Sequence, residues 1–350
     1  MEQAAFHFPY HGTPVSCERF GSGHINRTFL VTTDTGDRYI LQCLSSVAFH
    51  DIPGLMDNII RVTQHIAAKA SGKDSTLHFL PADSGLYYHL DETGAYWRSY
   101  RYVDAICIQL PETPADFYQS AVAFGTFQNQ LSDFPAETLK ETIPNFHNTP
   151  DRYRIFRGKI AEDPCGRAKT VQAEIEFYLS REEAGGALQR MLSQGILPLR
   201  VTHNDTKLNN VLLDEKTRKA VCVIDLDTVM PGLSAFDFGD SIRFGASTAA
   251  EDERDLDKVS MNLDLFHTYT EGFVSSCPGL LSAERAALPL GAKIMTLECG
   301  MRFLTDYLDG DHYFKTACPD HNLVRSRTQM KLVTDMEEKW SEMERIVASV

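Results

Sequence analysis

Three short apolar runs near the middle of the chain constrain its fold most: Leu199-Arg200-Val201-Thr202, Val211-Leu212-Leu213-Asp214 and Ala220-Val221-Cys222-Val223-Ile224-Asp225. They sit among sequences of helical periodicity, and runs this short between turn residues read as strands, the last two joined as a hairpin across residues 214–219. Short strands in a helical setting usually frame something. What they frame is polar: His203-Asn204-Asp205-Thr206-Lys207-Leu208-Asn209-Asn210 after the first strand, and Ile224-Asp225-Leu226-Asp227 after the last. Phosphoryl transfer needs a group that orients and deprotonates an attacking hydroxyl, and oxygen ligands for a cation that bridges nucleotide phosphates. Asp205 suits the first task. Asn210 and Asp225 suit the second, because Mg²⁺ prefers oxygen and keeps several waters. Asp and Asn also serve as plain turn residues. The pattern His-x-Asp-x-x-x-x-Asn, with Ile-Asp at hairpin distance, favours the catalytic reading. Lys207 would place a cation by the moving phosphoryl group; alone it would read as a solvated surface residue. His203 reads as a brace of the turn rather than a proton carrier.

The first hundred residues have another character. Ile25, Arg27, Phe29 and Val31 alternate with Asn26, Thr28 and Thr32 at nearly period two. The turn Asp34-Thr35-Gly36-Asp37 leads into Tyr39-Ile40-Leu41-Gln42-Cys43-Leu44, which predicts a hairpin. A second hairpin is expected between residues 86–90 and 96–103. Between the two, Leu55, Ile59, Val62 and Ile66 predict a helix over 54–68. From about residue 112 helical patterns take over, at 114–131, 170–179, 253–273, 284–308 and 324–347, with a long loop at 132–150 of the kind that forms a lid or binding element. The expected fold class is α+β with two lobes. Residues 1–103 make a small antiparallel-sheet lobe with one helix, residues 104–350 a larger, mainly helical lobe, and the cleft lies between. A length of 350 residues suits two lobes better than one core.

The formal charge of −14 argues against a broad footprint on nucleic acid or an anionic membrane, since both polyanions would be repelled. No apolar run approaches bilayer length, and the first residues lack the pattern of a secretory signal. A cytoplasmic protein is expected, monomeric with a dimer as the alternative. The eight cysteines include no Cys-x-x-Cys pair and read as reduced thiols.

Two further runs, Asp237-Phe238-Gly239-Asp240-Ser241-Ile242-Arg243 and Met301-Arg302-Phe303-Leu304-Thr305-Asp306-Tyr307-Leu308, complete a resemblance. Together with the two polar loops and Thr228-Val229-Met230-Pro231-Gly232, the chain resembles the aminoglycoside phosphotransferase and choline kinase branch of the protein-kinase-like superfamily. Within that branch it is similar to the bacterial N-acetylhexosamine 1-kinases. The resemblance spans both lobes. It implies ATP and Mg²⁺ as cofactors and transfer of the γ-phosphate to the anomeric hydroxyl of N-acetylglucosamine or N-acetylgalactosamine. It further implies Asp205 at that hydroxyl and Asp227 as a helper of Asn210 and Asp225 at the metal. On the sugar side it implies Arg302, Tyr313, and Asn145 or His147 from the loop Ile143-Pro144-Asn145-Phe146-His147-Asn148. Read without the resemblance, Arg302 is a structural ion pair and Tyr313 a core residue. Other acceptors keep the same chemistry: another sugar, or an amino alcohol of the choline, homoserine or hydroxylysine type. A cation at Arg302 opposes a cationic acceptor. Asp237-Phe238-Gly239 imitates the metal-binding triplet of protein kinases, but Ile224-Asp225 occupies the proper spacing. Asp237 is therefore expected to brace the catalytic loop.

On the nucleotide side, Gly21-Ser22-Gly23-His24 is a candidate phosphate-covering turn. Gln42 stands where kinases of this kind place the lysine that grips the α- and β-phosphates, and a neutral amide cannot replace that charge. Arg19 and Arg98 are the candidate substitutes. Arg101-Tyr102-Val103 resembles the hinge that meets the adenine edge, and an edge strand is the alternative. The missing lysine also admits a nucleotide-binding protein without turnover, a reading opposed by the intact anchors Asp205, Asn210 and Asp225.

Overall fold

The structure, a computed structural model, describes residues 2–21, 25–70, 72 and 75–350; Ser22, Gly23 and His24 of the expected phosphate turn lie outside these. Strands β1 (Pro14–Arg19), β2 (Arg27–Thr33) and β3 (Arg38–Cys43) are followed by helix α1 (Ile52–Lys69), β4 (His89–Leu90) and β5 (Tyr96–Arg101). The strands form one antiparallel sheet in the order β1-β2-β3-β5-β4. The first expected hairpin is β2–β3, with Leu30 opposite Ile40. The second is shorter than its pattern, since only His89 and Leu90 pair with β5 and the chain leaves the sheet after Arg101. β1 adds an edge strand upstream of the alternation that begins at Ile25.

Side-chain alternation points Ile40 and Tyr100 to one face and sends another set of the strands' apolar residues to the other. There Phe29, Val31, Leu41, Cys43 and Trp97 pack on Ala5 and Phe8. Helix α1 starts where the Asp51 carboxylate accepts the Gly54 N–H at 2.9 Å, with Pro53 in the first turn. Its stripe Leu55, Ile59, Val62 and Ile66 is buried in a core that continues through Phe117, Phe124, Val211 and Leu226. Each such side chain contributes about 1.5–3 kcal/mol. The helix of the sheet lobe thus shares its core with the helical part of the chain.

That part runs through β6 (Ile106–Cys107), α2 (Pro114–Gln130), α3 (Thr149–Glu162), α4 (Gln172–Leu179), α5 (Glu182–Gly185), α6 (Ala187–Ser193), β7 (Arg200–Thr202), β8 (Val211–Leu213), β9 (Ala220–Val223) and β10 (Met230–Gly232). It ends in α7 (Ser234–Gly245), α8 (Leu263–Ser276), α9 (Ser282–Ala286), α10 (Leu288–Asp309), α11 (His321–Glu338) and α12 (Trp340–Ser349). The three expected central strands are β7, β8 and β9. They belong to two small sheets, β10-β7 and β6-β8-β9, whose outer strands no sequence pattern marked.

Three helical expectations shift. The pattern at 253–273 yields a helix only from Leu263, because the Asn262 side chain accepts the N–H groups of Asp264 and Leu265 and so fixes the start there. The pattern at 324–347 is two helices, broken at Lys339. The long loop ends in α3, capped by Asn148, whose stripe is weak because only Thr149, Tyr153 and Phe156 are buried. Helix α7 was likewise unmarked, for the opposite reason: it is buried nearly all round.

Among the described residues no helix is long and apolar enough to cross a membrane.

Candidate active site

The catalytic loop between β7 and β8 is held by helix α7 beneath it. The Asp237 carboxylate accepts the backbone N–H of His203 at 2.9 Å, that of Asn204 at 2.8 Å, and the Gln128 side-chain amide at 2.6 Å. Asp237 is wholly buried. Each such bond to a charged acceptor is worth about 1.5–3 kcal/mol. Asp240, one turn on, accepts the N–H of Thr206 at 3.1 Å. The Asp237-Phe238-Gly239 triplet is therefore a helix segment rather than a metal loop. Phe238 sits among Phe266, Tyr269 and Phe273. Gly239 lets α7 cross α10 closely, since a Cβ there would lie 2.4 Å from the Gly291 carbonyl oxygen.

His203 is a brace, as expected. Its Nε2 donates to the Ile224 carbonyl at 2.8 Å and its Nδ1 accepts the Asp205 N–H at 3.3 Å, with Phe124 and Phe127 edge-on around the ring. The loop can then turn sharply. Asn204 takes a positive φ of 66° and donates to the Thr228 carbonyl at 2.8 Å, while Asp225 takes φ 58° after β9. Asn and Asp tolerate this left-handed region better than most residues.

These turns bring the anchors together. Asn210 Nδ2 donates to Asp205 Oδ2 at 3.0 Å and to the Asp205 carbonyl at 2.8 Å. Lys207 Nζ meets Asp205 Oδ1 at 2.8 Å, so the carboxylate is oriented from both sides. The Asn210 backbone carbonyl accepts the Ile224 N–H at 2.9 Å, tying the loop to the Ile-Asp turn. Among the described residues the Asn210 side-chain oxygen accepts no hydrogen bond, which leaves it available as a ligand. Asp225 opens to solvent from deep within the cleft. Burial of the carboxyl, then the charges of Asp227 and Asp205, push its pKa up to about 6. Crowded negative charge beside a free amide oxygen fits a hard divalent cation. Among the described residues no three acidic, His or Cys side chains surround one point. The donors therefore suit an ion that takes the rest of its shell from phosphates and water.

Asp227, expected at the metal, is committed elsewhere. One oxygen forms a buried ion pair with Arg98 on β5 and the other accepts the Asn26 amide at 2.6 Å. Gln42 lies on β3 directly opposite Arg98 and accepts its Nε–H at 2.9 Å. Arg19 lies instead over the Phe29 ring, 5.1 Å from its centroid. Gly21 has a positive φ of 73°, the turn conformation expected of it. Arg101, Tyr102 and Val103 form the crossing from β5 toward β6, where the Tyr102 N–H is taken by the Arg38 carbonyl at 3.1 Å.

On the acceptor side, Arg302 of α10 is ringed by Phe146, Tyr313 and Phe314, with 5.7, 5.7 and 5.6 Å from its guanidinium to the ring centroids. Its Nη2 lies 3.5 Å from the Tyr313 hydroxyl. Among the described residues Arg302 forms no ion pair, so it is not the structural ion pair that the sequence alone suggests. Tyr313 is no core residue, being 70% exposed. Its loop is held by Asp306, which accepts the N–H groups of His312, Tyr313 and Phe314 at 2.8–2.9 Å. His147, an expected sugar contact, has both ring nitrogens engaged, Nδ1 with Glu298 at 2.9 Å and Nε2 with the Asn204 carbonyl at 3.4 Å. It links the acceptor loop to the catalytic loop. Asn145 is an exposed turn residue with φ 57°, its side chain bonded to Asn148. Arg152, Glu298 and Asp306 were not anticipated: Glu298 because its partners His147 and Thr149 lie 151 and 149 residues away, Arg152 and Asp306 because they hold backbone groups of nearby loops, which no side-chain motif marks. The clearest signal available was a charge inside an apolar helix pattern, as at Glu298.

An antiparallel-sheet lobe over a helical one, with the side chains of Asp205, Asn210 and Asp225 on loops between them, defines a protein-kinase-like phosphotransferase. The chain belongs to the APH phosphotransferase enzyme family, whose model matches residues 16–266. Its fold is that of a microcompartment-associated aminopropanol kinase, with a TM-score of 0.67 and 18% identity over 98% of this chain and 97% of that one. It is also that of an amicoumacin kinase solved with AMP-PNP and Ca²⁺, with a TM-score of 0.58 and 14% identity over 96% and 91%. A choline kinase from Cryptosporidium parvum gives 0.57 and 12% over 95% and 92%. ATP and a divalent metal ion are the cofactors of this kinase family.

Proposed function

We propose that this chain transfers the γ-phosphate of ATP to the anomeric hydroxyl of N-acetylglucosamine or N-acetylgalactosamine, giving the sugar 1-phosphate. The observation that carries the acceptor class is the charge of the pocket beside the catalytic loop. Among the described residues neither Arg302 nor Arg152 has a carboxylate partner within salt-bridge distance, and Glu298, the nearby acid, spends its charge on His147. Arg152 donates instead to the Phe146 carbonyl at 2.7 Å. A cationic amino alcohol or aminoglycoside would meet two guanidinium groups that have no direct ion-pair partner among the described residues and only Glu298 and Asp151 to offset them at longer range. A neutral sugar would find hydrogen-bond donors and stacking rings.

In this reading Asp205, oriented by Lys207 and Asn210, takes the proton of the anomeric hydroxyl as its oxygen bonds to the γ-phosphorus and ADP leaves. The Lys207 cation offsets charge on the transferring group. Asn210 and Asp225 would hold Mg²⁺, which supplies charge neutralisation at the phosphates. Gly21 and residues 101–103 would take the nucleotide's phosphate and adenine ends. Residues 1–103 and 104–350 act as the two lobes, and Asp227 serves the lobe contact through Arg98. Tyr313 joins Arg302 at the sugar, and Asn145 lies at the rim.

Release of ADP is the test, measured with Mg²⁺ and ATP against N-acetylglucosamine, N-acetylgalactosamine, glucose, choline and 1-amino-2-propanol. The expected result is ADP release driven by the N-acetylhexosamines with loss of the reducing end. Turnover of the amino alcohols alone would overturn the acceptor assignment. Tight ATP binding with no turnover on any acceptor would overturn the kinase reading.

A further inference from the structure

The sheet carries a polar row across three strands: Thr28 on β2 faces Gln42 on β3, which faces Arg98 on β5. Gln42 Nε2 donates to the Thr28 hydroxyl at 3.0 Å and Gln42 Oε1 accepts the Arg98 Nε–H at 2.9 Å. The neutral amide at position 42 thus holds a cation contributed by the neighbouring strand. Arg98 Nη1 pairs with Asp227, two residues past Asp225, and lies 3.9 Å from Met56 Sδ on α1. The guanidinium is therefore fixed at the seam between the sheet, α1 and the Ile-Asp turn. It is 2% exposed as a residue. Among the described residues its third nitrogen, Nη2, makes no hydrogen bond, yet it is not one of the side-chain atoms sealed from solvent without a partner. Arg19, the other candidate, lies over Phe29 on the opposite side of the sheet's hydrogen-bond register from Gln42 and has no such placement.

We propose that Arg98 is the nucleotide-phosphate cation of this enzyme. Its charge moved from the third strand to the fifth, with Gln42 as its positioner and Asp227 as the carboxylate that anchors it. Three features support this. A guanidinium presents several donors in a fixed plane, so Nε and Nη1 can be spent on orientation while Nη2 remains for a phosphate oxygen. Keeping a charge this deep is costly unless it is paired, and the pairing joins it to the turn that carries Asp225. The site otherwise has three crowded carboxylates, Asp205, Asp225 and Asp227, and a polyphosphate needs positive charge there besides the metal's. The inference rests on the ATP-using kinase reading and not on the identity of the acceptor.

The test is calorimetric titration of the full chain with Mg·ATP and, separately, with adenosine, without any acceptor, so that a wrong acceptor assignment cannot affect the result. Arg98→Gln should weaken Mg·ATP about ten- to hundredfold, the span for a lost charge-assisted contact, with adenosine affinity unchanged. Should Arg98→Gln fail to fold, Arg98→Lys keeps a cation for Asp227 but loses the planar fork. It should weaken Mg·ATP several-fold relative to adenosine. Gln42→Ala, which leaves the cation but frees its orientation, should produce a smaller shift in the same ratio. A folded Arg98 variant that binds Mg·ATP and adenosine in the wild-type ratio would show Arg98 to be only a strut between lobes and overturn the proposal.

Discussion

The catalytic loop and the acceptor pocket are neighbours built on different principles. In the loop the polar groups are satisfied by partners close at hand: Asp237 holds two consecutive N–H groups, His203 spans from its own loop to Ile224, and Asn210 holds Asp205. In the proposed acceptor site Phe146, Arg152, Glu298, Arg302 and Tyr313 come from three regions of the chain, and among the described residues the two arginines have no carboxylate within salt-bridge distance. A loop held by the buried helix α7 and its own side chains can keep one chemistry while the surroundings change. The arginine–aromatic cluster is free to vary, and under the proposed function acceptor choice lives there.

Asp205→Asn tests the loop's side of this contrast and has the largest expected effect. The amide keeps the shape but cannot accept the hydroxyl proton, so kcat should fall about 10²- to 10⁴-fold with sugar affinity nearly intact. Steady-state kinetics of the variant decides it. An unchanged kcat would remove Asp205 from the role of base.

Arg302→Ala tests the pocket's side and should act more weakly and on a different parameter. Losing a charge-assisted contact to the sugar should raise the sugar KM about 10- to 100-fold while the KM for ATP stays put. If only the ATP parameter moved, the boundary drawn between the two regions would be in the wrong place.

The same contrast explains what the sequence made legible. The loop at 203–210 was readable as a candidate because phosphoryl transfer needs particular residues at fixed short spacing, a pattern that His203, Asp205 and Asn210, then Asp225 after a hairpin, match. The sheet with α1 was readable because period-two and helical alternation report a one-sided burial, as at Phe29 and Val31 or Ile59 and Val62. Helix α7 escaped because it is buried nearly all round with its polar residues Asp237, Asp240 and Arg243 inside, so no polar face alternates with an apolar one. The partnership of Gln42 and Arg98 escaped because strand register is not written in either strand alone: 56 residues separate them and only the β3–β5 pairing makes them neighbours. The same holds for His147 and Glu298, 151 residues apart.

The smallest effect, and the one that ties loop to cleft, belongs to Asp225. Burial, then Asp227 and Asp205, raise its folded-state pKa to about 6, against the lowering influence of Arg98 and His203. Because the folded value lies above the ordinary carboxylate value, the ionised side chain opposes folding above pH 6. As pH falls through about 6 toward 4, the folded state takes up a proton that the unfolded chain does not yet hold, and this group's contribution to stability rises. Metal binding runs the other way, since the ligand is the carboxylate. Mg²⁺ affinity should therefore fall about tenfold per pH unit below that pKa. Asp225→Asn should melt a few degrees above wild type at pH 7.5 without metal, within the range of about 1 kcal/mol, lose that advantage near pH 5, and bind Mg²⁺ poorly throughout. Thermal melts at the two pH values, with and without Mg²⁺, separate the effects. An Asp225→Asn variant with the wild-type melting temperature at pH 7.5 would mean that the crowded carboxylates are already relieved in the metal-free protein, and that a divalent ion is not what their repulsion awaits.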